Sequence, residues 1–393
     1  MPPTTAEPLR ATRLHGTMRP RSPHEPHRTA TPLELFFDLV FVVAIAQAAG
    51  SLHHAIAEAH AAEGIVGYLM VFFAIWWAWM NFTWFASAYD CDDVPYRLAV
   101  LLQMSGALIV AAGVRGMFAS PTPNLTVIAG YVVMRVALVG QWLRAARSDP
   151  GHRPTALRYA RGIAAIQIAW VGMLFVPDYW MPGFIVLISL EMAVPAWAER
   201  ATPTTWHAHH IAERYGLFTL IVLGESILAA TTAVQSALTP GTSVRPLLPL
   251  VGGGLLIVYS MWWIYFDRPV HDLLTSLRKA IVWGYGHYVI FASAAAVGAG
   301  LAVAVDQATH HAKIGVVGAG YAVAVPIAAY LLSLWVLHDR PAYQWSRRLG
   351  PAVAALILIA PLTRHGVPVI GLVLASLVGT KMLLRPRPMP AAG

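Results

Sequence analysis

The stretch "TPLELFFDLVFVVAIAQ", residues 31–47, reads as the opening of a membrane-spanning helix with a carboxylate inside it. Thr31, Pro32 and Glu34 have the order of a capping box, with threonine at the N-cap, proline in the first turn and glutamate reaching back to the cap. Asp38 lies one turn further on the same face as Glu34. It is about 9 Å along the axis from Pro32 at ~1.5 Å per residue, too deep to cap anything. An ionised carboxylate at mid-helix costs roughly 2.5–3.5 kcal/mol on insertion scales, so Asp38 needs a partner or a function.

The composition extends this reading to the whole chain. Its 393 residues are 57% hydrophobic and 12% charged, against about a quarter charged in a soluble protein. Apolar runs long enough to cross a bilayer recur from end to end. The expected fold is all-α, a polytopic transmembrane helical bundle, and the period-2 alternation of a barrel is missing. The net charge of +8 does not argue for nucleic acid, because the basic residues fall where membrane topology puts them. A single cysteine, Cys91, excludes an intrachain disulfide and a thiolate cluster. Residues 1–30, rich in Pro, Arg, His and Thr, lack the apolar core of a signal peptide and are expected to form a disordered cytosolic tail.

Twelve spans are expected, at 33–50, 65–86, 97–116, 124–143, 161–176, 182–198, 214–233, 247–266, 280–304, 314–337, 350–363 and 367–384. With the N-terminus in the cytosol, all but five of the 27 Lys and Arg residues fall in cytosolic tails, loops and helix ends; the five are Arg115, Arg245, Lys313, Arg364 and the intramembrane Arg135. That bias fits a multi-pass membrane protein with both termini cytosolic.

The two halves resemble each other in order. Trp76-Trp77 in "WWAWMN" matches Trp262-Trp263 in "WWIYFD", Arg97 matches Arg278, and Glu34 matches Glu213. Tyr131, Asp149 and Arg158 match Tyr321, Asp339 and Arg348 at a spacing of 190. Two six-helix repeats are therefore expected, 31–200 and 201–385, followed by a cytosolic tail at 386–393. An even number of spans per repeat relates them by a pseudo-twofold along the membrane normal.

Polar residues gather at the cytosolic level: Glu34, Asp38, Asn81, the acidic turn Asp90, Asp92 and Asp93, and Arg97. The turn reads either as a vestibule that concentrates cations or as a hydrated loop. Asp38 is expected to pair with a helix-start base such as Arg97 or to bond Asn81. Deeper lie Arg135, Glu191 and Glu225, with His287 shallower. Arg135 can neutralise one acid as a buried pair, which leaves the remaining acids to be protonated, solvated or paired elsewhere. Gly284, Gly286, Gly298 and Gly300 suit close helix packing in span 9. In "WHAHHIAER", His207, His209, His210 and Glu213 have spacings that admit zinc, but no catalytic motif accompanies them and the expectation is a solvated loop. No metal or other cofactor is expected. There is no GxSxG, P-loop or Rossmann fingerprint, so an enzyme is not expected.

On "TPLELFFDLVFVVAIAQ", "WWAWMN", "DCDD", "AERYGLFTLIVLGESIL", "WWIYFD" and "GYGHY" in that order, the chain resembles the bacterial low-temperature-requirement A family. The resemblance implies a multi-span inner-membrane protein linked by name to growth in the cold. "FFDLVFVVAI" is also similar to the first-helix motif of potassium channels built from six-span repeats. Phe36, Asp38, Val40, Phe41, Ala44 and Ile45 match that motif, whereas Phe37 and Leu39 depart from it. By that likeness Val43 marks a pore constriction, with Val222 as its counterpart when Glu34 is aligned on Glu213; Leu217 then stands opposite Asp38. The expected function is a channel or transporter for a small ion, cation or proton. The alternative is a non-transporting membrane sensor or assembly factor for cold adaptation. The expected partners are the lipid bilayer and a small ion or solute. A two-repeat channel needs at least a homodimer to surround a central pore, whereas a carrier works as a monomer.

Overall fold

The computed structural model describes residues 14–25, 28–119, 122–238, 245–339 and 346–384. Every regular element among them is helical. The α-helices are α1 (Pro32–Ala57), α2 (Ala61–Ala88), α3 (Val94–Ala119), α4 (Leu125–Ser148), α5 (Arg153–Gly172), α6 (Trp180–Ala198), α7 (Ala208–Ala237), α8 (Leu248–Phe266), α9 (Leu277–Ala308), α10 (Val316–Leu334), α11 (Ser346–Ile359) and α12 (Gly366–Leu383).

Among the described residues, ten helical segments are long and apolar enough to cross a bilayer. α5 and α11 stand outside that set for visible reasons. α5 opens with Arg153, Arg158 and Arg161, and α11 has 14 residues with Pro351 inside.

Local chemistry sets the helix starts. Thr31 Oγ1 accepts from the Glu34 N–H at 3.3 Å and Glu34 Oε2 accepts from the Thr31 N–H at 2.8 Å, the expected capping box. Asn124 caps α4 through the Val127 N–H at 3.1 Å, and Ser276 caps α9 through the Lys279 N–H at 3.4 Å. His207 caps α7 by accepting from the His210 N–H at 3.2 Å.

α1 packs on α3, α3 on α4, α4 on α5 and α5 on α6; later in the chain α7 packs on α9, α9 on α10, α10 on α11 and α11 on α12. The two sets meet where α1 and α2 touch α7 and α9. Lipid tails are as apolar as leucine, so contact between such helices rests on close packing. A Cβ on Gly106 of α3 would stand 2.6 Å from the Gly130 carbonyl oxygen of α4, and one on Gly300 of α9 would stand 2.3 Å from the Ala322 carbonyl oxygen of α10. At both crossings backbone meets backbone.

Residues 14–25 and 28–30, expected within a disordered tail, lie instead against the helix ends. Met18 is fully buried and Arg28 is 3% exposed. The Arg21 N–H donates to the Ala88 carbonyl at 2.9 Å, and Arg144 donates to the Gly16 carbonyl at 2.8 Å. Backbone groups make two of these contacts, which an apolar-pattern reading of the sequence does not register. The remainder of that tail, 1–13, and the tail at 386–393 lie outside the described residues.

Candidate functional site

α1 brings Glu34 and Asp38 to one face, and α7 brings His210 and Arg214 to another, each pair one turn apart. The faces oppose each other as a ladder. Arg214 Nη2 donates to Asp38 Oδ1 at 2.6 Å, and Arg214 Nη1 stands 3.1 Å from Glu34 Oε1. His210 Nε2 is also 3.1 Å from Glu34 Oε1. Trp79 of α2 donates its indole N–H to the same Asp38 oxygen at 2.7 Å. None of the four ladder residues is more than 1% exposed.

The surroundings explain why the ladder holds its shape. Trp79 stacks on Phe218 with ring centroids 4.2 Å apart and meets Tyr215 edge-on at 4.9 Å. This aromatic wall leaves the indole N–H aimed at Asp38 and keeps lipid from the ion pair. Asp38 Oδ2, Arg214 Nε and His210 Nδ1 are nevertheless buried without a hydrogen-bond partner among the described residues. Two carboxylates thus face one guanidinium and one imidazole in a network that retains unused hydrogen-bonding capacity. Buried networks of this kind couple strongly, because low dielectric magnifies each charge.

The expected partners of Asp38 are not the observed ones. Arg97 instead makes a bidentate pair with the exposed Asp92, at 2.7 and 2.8 Å, and Asn81 donates to the Trp77 carbonyl at 2.7 Å, back along its own helix. Arg97 starts α3 at its exposed edge, whereas the Asp38 carboxylate meets Trp79 of α2 and Arg214 of α7.

The cation-concentrating reading of the acidic turn also fails, because its acids are occupied. Asp92 holds Arg97, Asp90 lies 3.2 Å from Arg21, and Asp93 holds Arg144. Asp93 further accepts the Gly16 N–H at 2.6 Å and the Tyr96 N–H at 3.0 Å. Burial acts to raise Asp93, but these donors and Arg144 outweigh it and hold the carboxyl well below its ordinary range. Asp90 has fewer donors, and burial pushes it up to about 6.

The family model described as bacterial low temperature requirement A protein (LtrA) matches residues 29–384. The chain belongs to the LtrA family. An uncharacterized protein of Rhizobium meliloti (strain 1021) is 31% identical over 276 residues, which are 65% of this chain and 65% of the relative. Together with the apolar helices, membership makes this a multi-pass membrane protein.

The other expected residues of this LtrA chain divide among separate environments. Arg135 of α4 pairs with Glu191 of α6 at 3.0 Å, both buried. Glu191 also accepts from Tyr131 at 2.8 Å and from the Trp170 indole at 2.9 Å, and Arg135 bonds the Tyr131 hydroxyl. Three donors on α4 and α5 thereby satisfy one carboxylate of α6, a well-built structural tie. Glu225 is half-buried on α7. His287 is buried; its Nδ1 meets the Trp283 carbonyl at 2.8 Å and its Nε2 the Tyr265 hydroxyl at 3.1 Å. A carbonyl only accepts, so Nδ1 carries the proton and Nε2 accepts from tyrosine.

Val43 and Val222, the expected pore-lining pair, do not share a surface. Val43 is 43% exposed and Val222 is fully buried. The buried positions of α1 and α7 instead correspond at a spacing of 177: Phe37, Phe41, Ile45 and Ala49 with Arg214, Phe218, Val222 and Ser226. Aligning Glu34 on Glu213 slips this register by two residues, which turns the helix face by about 200°.

The histidine loop also divides. His210 enters the ladder, His207 Nε2 meets the Glu25 carbonyl at 2.9 Å, and the His209 ring faces His271 at 5.4 Å. Arg214 was not singled out from the sequence, and His210 was named only as part of the histidine loop, not as a partner of Glu34. Their signal was available: a basic pair at i, i+4 opening α7, the complement of the acidic pair opening α1.

Proposed function

We propose that this LtrA-family chain moves a small ion, cation or proton, across the bacterial cytoplasmic membrane, with the α1–α7 ladder at the heart of the pathway. The carrying observation is the buried pairing of Glu34 and Asp38 with His210 and Arg214. Ionisable groups inside a membrane protein are costly and mark ion or proton routes by default. Here they join the first helix of one half to the first helix of the other. A charge entering the ladder, or leaving it, changes how strongly those helices hold each other.

The finer architecture belongs to the same reading: twelve crossings in two six-helix repeats, with both termini cytosolic. The parallel packing orders α1–α3–α4–α5–α6 and α7–α9–α10–α11–α12 support it. So does the constant spacing of the buried faces of α1 and α7. The positive-inside bias supports a cytosolic Glu34 end.

The test is ion flux in proteoliposomes under potassium and pH gradients in turn, comparing the wild type with Asp38→Asn and Glu225→Gln. The reading expects flux under one gradient that Asp38→Asn reduces at least tenfold. Silence under both gradients from well-folded protein overturns it and favours a membrane sensor.

A further inference from the structure

We propose that residues 14–25 and 28–30 form a strap that closes the Glu34 end of the ladder, with the Arg28 side chain as its plug. The chemical class of the plug is a cation, so it occupies the acidic end of the ladder as a cationic ligand would.

The strap is anchored on both halves of the chain. On the first half, Arg21 pairs with Asp90, its N–H donates to the Ala88 carbonyl, and Gly16 is held from both sides by Asp93 and Arg144. On the second half, the Glu25 carbonyl meets His207, the residue that caps α7. Arg21 and Glu25 bond each other one turn apart, which stiffens the segment between the anchors. Met18 fills the apolar core beneath it and is fully buried.

Arg28 is the inserted group. Its Nη2 donates to the Ala86 carbonyl at 2.6 Å, at the end of α2. Its Nε and Nη1 are buried with no partner among the described residues. The guanidinium is near enough to Glu34 and Asp90 to feel their charge, yet burial outweighs them and pulls it below the ordinary arginine range. A cation buried with only part of its hydrogen bonding satisfied is held less firmly than a complete network would hold it. Arg214 also has Nε and Nη1 without partners, but it lies within 3.1 Å of two carboxylates; Arg28 has no carboxylate at ion-pair distance among the described residues, which marks it as the group able to leave. Departure would return it to water and open the route to Glu34 and His210 from that end.

The role in gating rests on the transport reading above, but closure itself is a matter of access and is read chemically. Cys91 is the sole cysteine, is half-buried, and bonds Asp93, which carries the strap residue Gly16. Its maleimide labelling reports strap docking. His210 is fully buried in the ladder, and its modification by diethyl pyrocarbonate, read by mass spectrometry, reports access. The full chain is compared with the double variant Arg21→Gln, Arg28→Gln and, as a second disruption of the strap alone, with Met18→Asp. Size-exclusion profiles and melting curves identify folded samples.

Faster Cys91 labelling together with at least a fivefold rise in His210 modification, in either folded variant, supports the strap. Fast Cys91 labelling with His210 still protected overturns closure. Unchanged labelling of both residues overturns docking through Arg21, Arg28 and Met18. Flux measured on the same samples addresses the transport reading separately: exposed His210 without flux in any sample counts against transport and leaves the strap supported.

Discussion

Arg214 and Asp38 are 176 residues apart in the chain and 2.6 Å apart in space, both fully buried. Their pairing joins α1 to α7 and makes two helix starts one electrostatic unit. Removing one partner of such a pair strands a charge where it cannot be hydrated, at a cost of about 3–5 kcal/mol. Arg214→Gln is therefore expected to destabilise more than Asp38→Asn, because it strands Glu34 as well. The double variant should be less destabilised than the sum of the two singles. Melting curves in one detergent measure all three; strict additivity would show that the residues do not interact.

Glu191→Gln tests the other buried pair. The amide keeps one acceptor oxygen, for Tyr131 or for Trp170 but not both, and leaves the Arg135 charge unbalanced, so a loss of about 3–5 kcal/mol is expected. Arg135 and Glu191 tie α4 to α6 and stand apart from the ladder. Ion preference in flux assays should be unchanged, and a changed preference would place this pair in the pathway.

The capping box was legible in the sequence, and so was a buried pair for Arg135, because each depends on residue type and helix depth alone; the sequence leaves open which acid Arg135 takes. The partner of Asp38 was not. Arg214 opens a span, where a basic residue ordinarily snorkels to the headgroups, and nothing local says that it turns inward. The Val43–Val222 match failed through register. Glu34 and Glu213 look like equivalents, but Phe41 and Phe218, at the spacing of 177, mark the correct phase. The strap was hidden for another reason: its contacts are backbone bonds and ion pairs in a polar segment, which carry no periodic apolar pattern.

Asp90 carries a pH dependence. Burial raises its carboxyl to about 6, the Glu34 charge adds to the rise, and Arg21 and Arg28 oppose it. A carboxyl raised on folding contributes stability that is fully present below its unfolded value near 4 and is lost as pH rises through about 6. Asp90→Asn should flatten the change in melting temperature between pH 4.5 and 7.5 and melt above the wild type at pH 7.5. A variant that melts below the wild type at pH 7.5 would show that the Arg21 pair outweighs burial.

Two glycines predict opposite effects. A Cβ at Gly300 meets the Ala322 carbonyl oxygen at 2.3 Å, whereas one at Gly252 of α8 meets nothing within 4 Å. Gly300→Ala should cost about 1–3 kcal/mol through overpacking, and Gly252→Ala should gain up to about 1 kcal/mol from helix propensity. Thermal melting of the two variants side by side decides whether α9 and α10 touch as closely as described.

The most direct measurement is flux through proteoliposomes holding purified wild type, Asp38→Asn and Glu191→Gln, each under a potassium gradient and then a pH gradient. The account predicts flux under one gradient, reduced at least tenfold by Asp38→Asn and retained per folded molecule by Glu191→Gln. No wild-type flux under either gradient, or equal flux from folded Asp38→Asn, would contradict a transport role for the ladder.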